Sequence, residues 1–356
     1  MAAAVRRRAV RAAVLAVVAA GVLGCAQQTD RALHPDPPAV TYRPLTHPFQ
    51  GAKLAVDPDS EAAHWQRAHE AGWMAPISDE PQARWINSPQ DLDTLPTLLA
   101  AARDQHALPV LVAYWVPNRG CSKHKQGAPT AAAYQAWIRS LIARLGSTRA
   151  VVVLEPDAVP ADCFDAARGR LLAQAVRELS AAGQSVYIDA GHARWKSTGD
   201  MAERLLASGI TEAEGFAVNV SNRQTTAASI AWGRELSDLV GKRPFVVDVS
   251  RNGIGPPPDG PGGAAQWCNP THQALGAPPT THPDAPGVDA LLWIKRPGES
   301  DGKCGGEVSY FFSPRQARAL IENSPHVAPD LRRAARSADA PPASTTPIGL
   351  APAGGA

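Results

Sequence analysis

Three features that would mark other classes of protein are missing from this chain. No C-x-x-C pair occurs among its five cysteines, which argues against a zinc site built on closely spaced thiolates. No G-x-G-x-x-G follows the first predicted strand, which argues against a dinucleotide-binding fold. The apolar run at residues 12–23 is shorter than the roughly 20 residues that a membrane-spanning helix needs. We therefore expect no metal ion, no cofactor and no spanning helix.

The N-terminus has the features of an export signal. Four arginines between positions 6 and 11 precede the short apolar run. The run ends in V-L-G-C at Cys25, which is similar to a bacterial lipobox, in which the cysteine is lipidated and becomes the first mature residue. The alternative is a plain secretory signal with an incidental cysteine. The protein is then either a cell-surface lipoprotein anchored to the membrane only through Cys25, or secreted.

The charge and the cysteines of the mature chain narrow the function further. Removing residues 1–24 removes four arginines and no acidic residue, which leaves 31 basic and 33 acidic side chains. A chain of this balance lacks the basic footprint of a nucleic-acid-binding protein. Four cysteines remain, an even number in an exported protein, which indicates two disulfide bonds in one of three possible pairings.

Composition divides the chain into a signal, a linker, one domain and a tail. Residues 25–45 and 326–356 are polar or rich in alanine and proline, and they predict a linker and a disordered tail. Residues 46–325 are enough for one large domain. We expect a monomer.

Short apolar runs rich in β-branched residues recur along this domain and predict strands buried on both faces. Amphipathic stretches at 130–146 and 165–183 lie between some of them and predict helices that end at a glycine. The alternation favours an α/β domain built as a parallel β/α barrel. The runs are 109–117, 150–159, 185–191, 215–221, 244–250 and 290–295.

The predicted strands end in charged and polar side chains, where barrel enzymes hold their catalytic groups. Any one acid in this place could be the N-cap of the next helix. Several carboxyl groups round one rim instead indicate proton-transfer chemistry, above all in the segment 293–304, where no strong helical pattern follows. The rim residues are Glu155, Asp157, Asp189, His192, Asn219, Asp248, Arg251, Lys295, Glu299 and Asp301.

The stretch V-V-V-L-E-P-D-A-V-P at 151–160 resembles a signature of glycoside hydrolase family 6, whose cellobiohydrolases and endoglucanases cut β-1,4-glucan with inversion. The resemblance continues through Y-I-D-A-G-H-A-R-W at 187–195, V-V-D-V-S-R-N-G-I-G-P at 246–256 and L-L-W-I-K-R-P-G-E-S-D-G at 291–302. It covers about residues 46–325. It implies a distorted barrel with fewer than eight strands and a β-glucan substrate.

The resemblance also implies roles for particular residues. Asp157 matches the general acid, Asp301 matches the general base candidate, and Asp189 is a supporting carboxyl group. Tyr114 matches a tyrosine beneath the sugar ring that is to be distorted. The implied disulfides are Cys121–Cys163 and Cys268–Cys304. The implied substrate contacts are Trp85, Trp195, Asn219, Trp267, Trp293, Lys295 and Glu299, although any single tryptophan could instead pack in the core.

One position departs from the family pattern. The second signature, Y-x-x-P-x-R-D-C, reads Y-W-V-P-N-R-G-C at 114–121, so Gly120 stands where the family has aspartate. The following loop gains Lys123, His124 and Lys125. Losing a negative charge and adding positive ones both lower the pKa of a neighbouring acid, which would leave Asp157 a poorer proton donor.

Three interpretations remain open from the sequence. The first is a working endo-β-1,4-glucanase in which Asp189, Asp248 or another carboxylate compensates for Gly120. The second is a glucan-binding surface lipoprotein with weak or no catalysis, and the third is a hydrolase for an anionic glycan that faces the basic loop. The short 268–304 segment favours an open cleft and internal cleavage.

Overall fold

The computed structural model describes residues 40–121, 126–258, 268–302 and 312–338. The predicted signal with Cys25 lies outside these ranges. The chain divides into Met1–Thr41 and Tyr42–Ala356, and the helices and strands given below belong to the second unit. Within the described ranges, no helix has both the length and the hydropathy needed to cross a bilayer.

Seven parallel strands form one curled sheet in which each strand pairs with the next along the chain. The first and last strands approach each other where the Ala83 N–H donates to the Trp293 carbonyl over 3.0 Å. This arrangement confirms the predicted distorted α/β barrel with fewer than eight strands. The strands are β1 (Arg84–Ile86), β2 (Val110–Ala113), β3 (Val151–Leu154), β4 (Ser185–Asp189), β5 (Gly215–Val218), β6 (Phe245–Asp248) and β7 (Val288–Leu292).

Helices return the chain between successive strands from β1 to β6, because parallel neighbours need a crossover connection. Thr130 and Asp165 cap the two predicted helices, and their side chains accept from the Ala133 and Arg168 N–H groups. The helices are α1 (Glu61–His69), α2 (Ala75–Ser78), α3 (Leu95–Asp104), α4 (Ala131–Leu145), α5 (Ala166–Ala181), α6 (Thr198–Ala207), α7 (Thr226–Leu239), α8 (Pro314–Asn323) and α9 (Pro329–Ser337), with short 3₁₀ turns at Gly72–Met74 and Gln90–Thr94.

The core has two layers, one inside the curl of the sheet and one between the sheet and the helices. Strands β2 to β6 are buried at every position, as continuous apolar runs predict. The inner layer includes Val112, Val153, Tyr187, Ala217 and Ala290. A filled interior leaves the edge where the strands end as the place for a site.

Two elements differ from the sequence expectations. Strand β1 was not among the predicted runs, because Arg84 is a buried cation satisfied by Asp57, with contacts of 2.5 Å, rather than an apolar residue. Helix α9 lies inside the predicted tail, and its Ala335 is fully buried in the outer core.

Candidate active site

The acid-bearing turn follows β3 directly. The chain leaves Leu154 through Glu155 and Asp157, whose φ angles of 50° and 70° lie in the left-handed region. This conformation costs a non-glycine residue on the order of 1 kcal/mol and persists where the surroundings hold it. The surrounding contacts therefore hold the backbone at Asp157 in this conformation.

Glu155 holds this turn in place through hydrogen bonds to the backbone. Its two carboxyl oxygens accept from the backbone N–H groups of Trp115 and Val116, both at 2.9 Å, and the residue has no exposed surface. Burial raises the pKa of Glu155 to about 7, against the lowering effect of these two N–H groups. The first acid of E-P-D thus fixes the segment that carries Tyr114 to the turn that carries Asp157.

Asp157 has the surroundings of a proton donor. Burial raises the pKa of its carboxyl group to about 6. Its backbone N–H donates to Asp189 Oδ2 over 2.8 Å, and Gly191 N–H donates to the same oxygen over 3.2 Å. Burial, then the charge of Asp157, raises the pKa of Asp189 well above its ordinary value. Asp189 Oδ1 is buried and has no hydrogen-bond partner among the described residues.

The loop with Gly120 is tied to the acid-bearing turn. The Cys121–Cys163 disulfide is present, as the family resemblance implies. Arg168 at the start of α5 adds a second tie, because its guanidinium donates to the Asn118 carbonyl over 2.8 Å. Gly120 is exposed in the turn before Cys121, so the position where the family resemblance implies aspartate lies on this disulfide-bonded loop.

Asp248 organises the opposite side of the rim. It is fully buried at the end of β6 and accepts from the N–H groups of Ser221 and Ser250, both at 2.9 Å. It also accepts from Ile294 at 3.3 Å and Lys295 at 2.9 Å. One carboxylate therefore joins the ends of β5, β6 and β7.

Asp301 is held by two guanidinium groups. Arg251 Nη1 lies 2.8 Å from Oδ1 and 3.0 Å from Oδ2, and Arg223 Nη2 lies 3.3 Å from Oδ2. Burial alone would raise the pKa of Asp301, but Arg251, Lys295 and Arg223 outweigh it and hold the pKa well below its usual range. Asp301 is consequently ionised at neutral pH.

A second charge cluster lies between Asp301 and β1. Glu299 pairs with Arg296 and lies 3.6 Å from Lys295 Nζ. Glu61 at the start of α1 shares this cluster, and burial, then the charge of Glu299, raises its pKa to about 7. Sequence reasoning missed Glu61 because it lies more than 200 positions from Glu299 and matches no quoted motif.

The predicted aromatic contacts fall in different surroundings. Trp85 and Tyr114 are half-buried, with ring centroids 5.3 Å apart, and Lys295 Nζ lies 5.9 Å from the Trp85 ring. Trp195 is 37% exposed and packs against His192. Trp293 is 3% exposed in the outer core, where its indole N–H donates to the Ala277 carbonyl. The structure thus brings Trp85, Tyr114 and Lys295 together and places Trp293 apart from them.

Asn219 is buried, and its side chain serves a turn. Its amide donates to the carbonyls of Gln224 and Asp248, and its oxygen accepts from the Gln224 N–H. Its contact with substrate stays a prediction. Other sequence predictions lie outside the described residues, and these are Trp267, Cys304 with its bridge to Cys268, and the basic loop residues Lys123, His124 and Lys125.

The rim thus combines a carboxyl group that holds its proton up to about pH 6 with a carboxylate that is ionised well below that pH, the kind of separation that an acid and a base need. This is the arrangement of a barrel hydrolase that works with two carboxyl groups. The model of glycosyl hydrolases family 6 matches residues 49–327, and the chain belongs to that family.

Relatives and solved structures agree with this assignment. Endoglucanase A of Cellulomonas fimi is 38% identical over 261 residues, which are 70% of this chain and 56% of that protein. Endoglucanase 1 of Streptomyces halstedii is 38% identical over 290 residues, 75% of this chain and 87% of that protein. The endoglucanase Cel6 from Mycobacterium tuberculosis, solved in complex with methyl-cellobiosyl-4-deoxy-4-thio-β-D-cellobioside, superposes with a TM-score of 0.71 at 39% identity, covering 76% of this chain and 97% of that one.

These comparisons confirm the predicted class, a family 6 glycoside hydrolase, and two of its relatives are endoglucanases. The chain spans little more than half the length of the Cellulomonas fimi protein.

Proposed function

We propose that this protein hydrolyses internal β-1,4-glucosidic bonds of cellulose or a related β-glucan, with inversion at the anomeric carbon. The observation that carries the proposal is the separation of two carboxyl groups in proton affinity: burial raises the pKa of Asp157 to about 6, whereas three cations hold that of Asp301 below its usual range. The endoglucanase relatives, one solved with a cellobioside-based ligand, support the β-1,4-glucan substrate.

The two groups have complementary tasks in this mechanism. Asp157 transfers its proton to the glycosidic oxygen as the bond to the anomeric carbon breaks. A water on the opposite face of the sugar loses a proton toward Asp301, and its oxygen bonds to that carbon. Trp85 and Tyr114 supply apolar and aromatic surface for the ring, while Lys295 and Glu299 supply polar contacts.

Asp189 takes over part of the role of the missing aspartate. Its Oδ2 accepts from the Asp157 N–H, and burial, then the charge of Asp157, raises the pKa of Asp189. Its buried Oδ1 has a lone pair that no described donor uses. Because burial and the charge between the two groups make it costly to ionise both, the pair holds a proton near neutral pH, which partly offsets the negative charge that Gly120 lacks.

Reducing-end release tests the activity itself. The mature protein should release reducing ends from carboxymethylcellulose and from soluble β-glucan, with a rapid fall in viscosity that marks internal cleavage. Gly120 supports a second candidate function, a glucan-binding protein with weak or no catalysis. That protein would be retarded in a glucan-containing gel and would release no product.

The pH profile should report the Asp157 proton and the effect of Gly120. Because the acid must be protonated, kcat should fall as the pH rises through about 6. Gly120→Asp adds a negative charge to a loop that is disulfide-bonded to the acid-bearing segment, so the falling limb should move up by about 0.5 to 1 pH unit, a roughly 3- to 5-fold gain in kcat at pH 7.

Gly120→Asn is the matched control, because it adds a similar side chain without charge. Kinetics on soluble β-1,4-glucan from pH 4 to 8 measure all three proteins. A limb that stays in place with aspartate, or moves equally with asparagine, would show that charge at position 120 does not tune the acid.

We also propose export, with a lipid on Cys25 as the anchor to the membrane surface. The basic start, the short apolar run and the V-L-G-C ending support it. Incorporation of labelled palmitate that Cys25→Ser abolishes would separate the anchored form from a secreted one.

A further inference from the structure

Arg223, which no motif singles out, reaches Asp301 from a neighbouring strand end. After β5 the chain makes a tight turn, in which Asn219 Nδ2 donates to the Gln224 carbonyl over 3.2 Å and Asn219 Oδ1 accepts from the Gln224 N–H over 3.0 Å. Asn219 itself is left-handed, with φ at 69°. The turn sends the Arg223 side chain into the site, where it is 2% exposed.

The contacts of Asp301 differ between its two oxygens. Oδ2 accepts from Arg223 Nη2 at 3.3 Å, Arg251 Nη1 at 3.0 Å and the Asn269 N–H at 3.1 Å. Oδ1 accepts from Arg251 Nη1 at 2.8 Å. Since each carboxylate oxygen offers about two acceptor sites, Oδ2 is saturated and Oδ1 keeps one site.

We propose that Arg223 is a positioning residue, which occupies Asp301 Oδ2 and so leaves Oδ1 as the oxygen that accepts the proton of the attacking water. This inference rests on the proposed function, in which Asp301 is the base. In the step, the O–H bond of water breaks and its proton goes to Oδ1, the water oxygen bonds to the anomeric carbon, and the glycosidic oxygen leaves with the proton of Asp157.

Charge supports the same role. Cations from three successive strand ends act on Asp301, namely Arg223 after β5, Arg251 after β6 and Lys295 after β7. The charges of the Arg251 guanidinium and the Asp248 carboxylate in turn act on Arg223. The same Nη2 of Arg223 that contacts Asp301 also donates to Gln273 Oε1 over 3.1 Å, which helps to fix its position beside the carboxylate.

A double-mutant cycle measures the contact without any need for activity. Urea unfolding at pH 7 of the wild type, Arg223→Met, Asp301→Asn and the double variant gives the coupling between the two side chains. Removing Arg223 should lower the folding equilibrium constant at least tenfold more in the wild type than in the Asp301→Asn background, where no anion needs it. Tenfold corresponds to about 1.4 kcal/mol.

Arg243→Met is the matched control. Arg243 is also 2% exposed, but its guanidinium donates to the carbonyls of Arg43 and Thr211. Its effect should therefore be the same with and without the Asp301 carboxylate. If removing Arg223 also costs the same stability with and without the Asp301 carboxylate, the proposal is wrong.

The pH profile of kcat/KM supplies the second readout. The acid limb, where Asp301 takes up a proton, should move to higher pH by at least half a unit in Arg223→Met, and Arg223→Lys should restore most of the wild-type position. Coupling in the cycle with no hydrolysis by any form would support the positioning of Asp301 and refute the proposed function. Hydrolysis with an additive cycle and unmoved profiles would refute the positioning alone.

Discussion

Asp157→Asn lowers kcat on soluble β-1,4-glucan by about 10³-fold, because the leaving oxygen loses its proton donor while the shape of the site is kept. The same change should not lower stability at pH 7. The folded-state pKa of Asp157, about 6, lies above the unfolded value near 3.9, so the stabilising effect of this group is present below pH 4 and lost as the pH rises through 6. Urea unfolding beside the kinetics separates the two effects.

Asp162→Asn is the control for this prediction. Asp162 lies in the same segment, is exposed, and pairs with Lys196 at 2.7 Å on the surface. Its removal should change kcat less than twofold. An Asp157→Asn protein that keeps more than a tenth of the wild-type kcat would mean that another group protonates the leaving oxygen.

Asp301→Ala removes both the proposed base and the anion that two buried guanidiniums share. Breaking a buried ion pair by deleting one partner typically costs about 3 to 5 kcal/mol, because the remaining charge is left unpaired, and we expect a loss of this size in the free energy of unfolding at pH 7. The Arg223 and Arg251 side chains are 2% and 1% exposed, so water cannot readily replace the carboxylate. Hydrolysis should fall by at least about 10²-fold.

The stability contribution of Asp301 should depend on pH in a definite direction. The folded-state pKa of Asp301 is below the unfolded value, so its contribution is present above about pH 4 and lost as the pH falls. The variant should therefore lose less stability on acidification than the wild type. Asp93→Ala is the control, since its pair with Arg144 is exposed and should contribute less than about 1 kcal/mol. An equal loss in both variants would contradict the account.

The sequence predicts the fold because most of the strands need only local information. Strands β2 to β6 are buried on both faces, so each appears as an unbroken apolar run. Strand β1 does not, because Arg84 is a cation whose partners, the Asp57 carboxylate 27 positions away and the Thr94 carbonyl, come together only in the fold. Helix α9 is not predicted for a similar reason. Its Ala335 is only weakly apolar and is buried by contacts with elements distant in the sequence.

The sequence predicts residues of the candidate site, but it does not predict how those residues contact one another. Strand-end acids and family motifs identify Asp157, Asp189 and Asp301 as chemical groups. They do not reveal that both carboxyl oxygens of Glu155 accept hydrogen bonds from the backbone after β2. Nor do they reveal that Arg223 and Asp301, 78 positions apart, form an ion pair. Such roles depend on which side chains the fold brings together, and only the structure supplies that.

The stereochemistry of hydrolysis tests the central claim most directly. Proton NMR of cellohexaose during the first minutes of hydrolysis distinguishes the anomers of the newly formed reducing ends before they equilibrate. An inverting enzyme that uses Asp157 as acid and Asp301 as base releases the α-anomer first, with cuts inside the chain. Initial release of the β-anomer, or binding of cellohexaose with no product at any pH from 4 to 8, would contradict it.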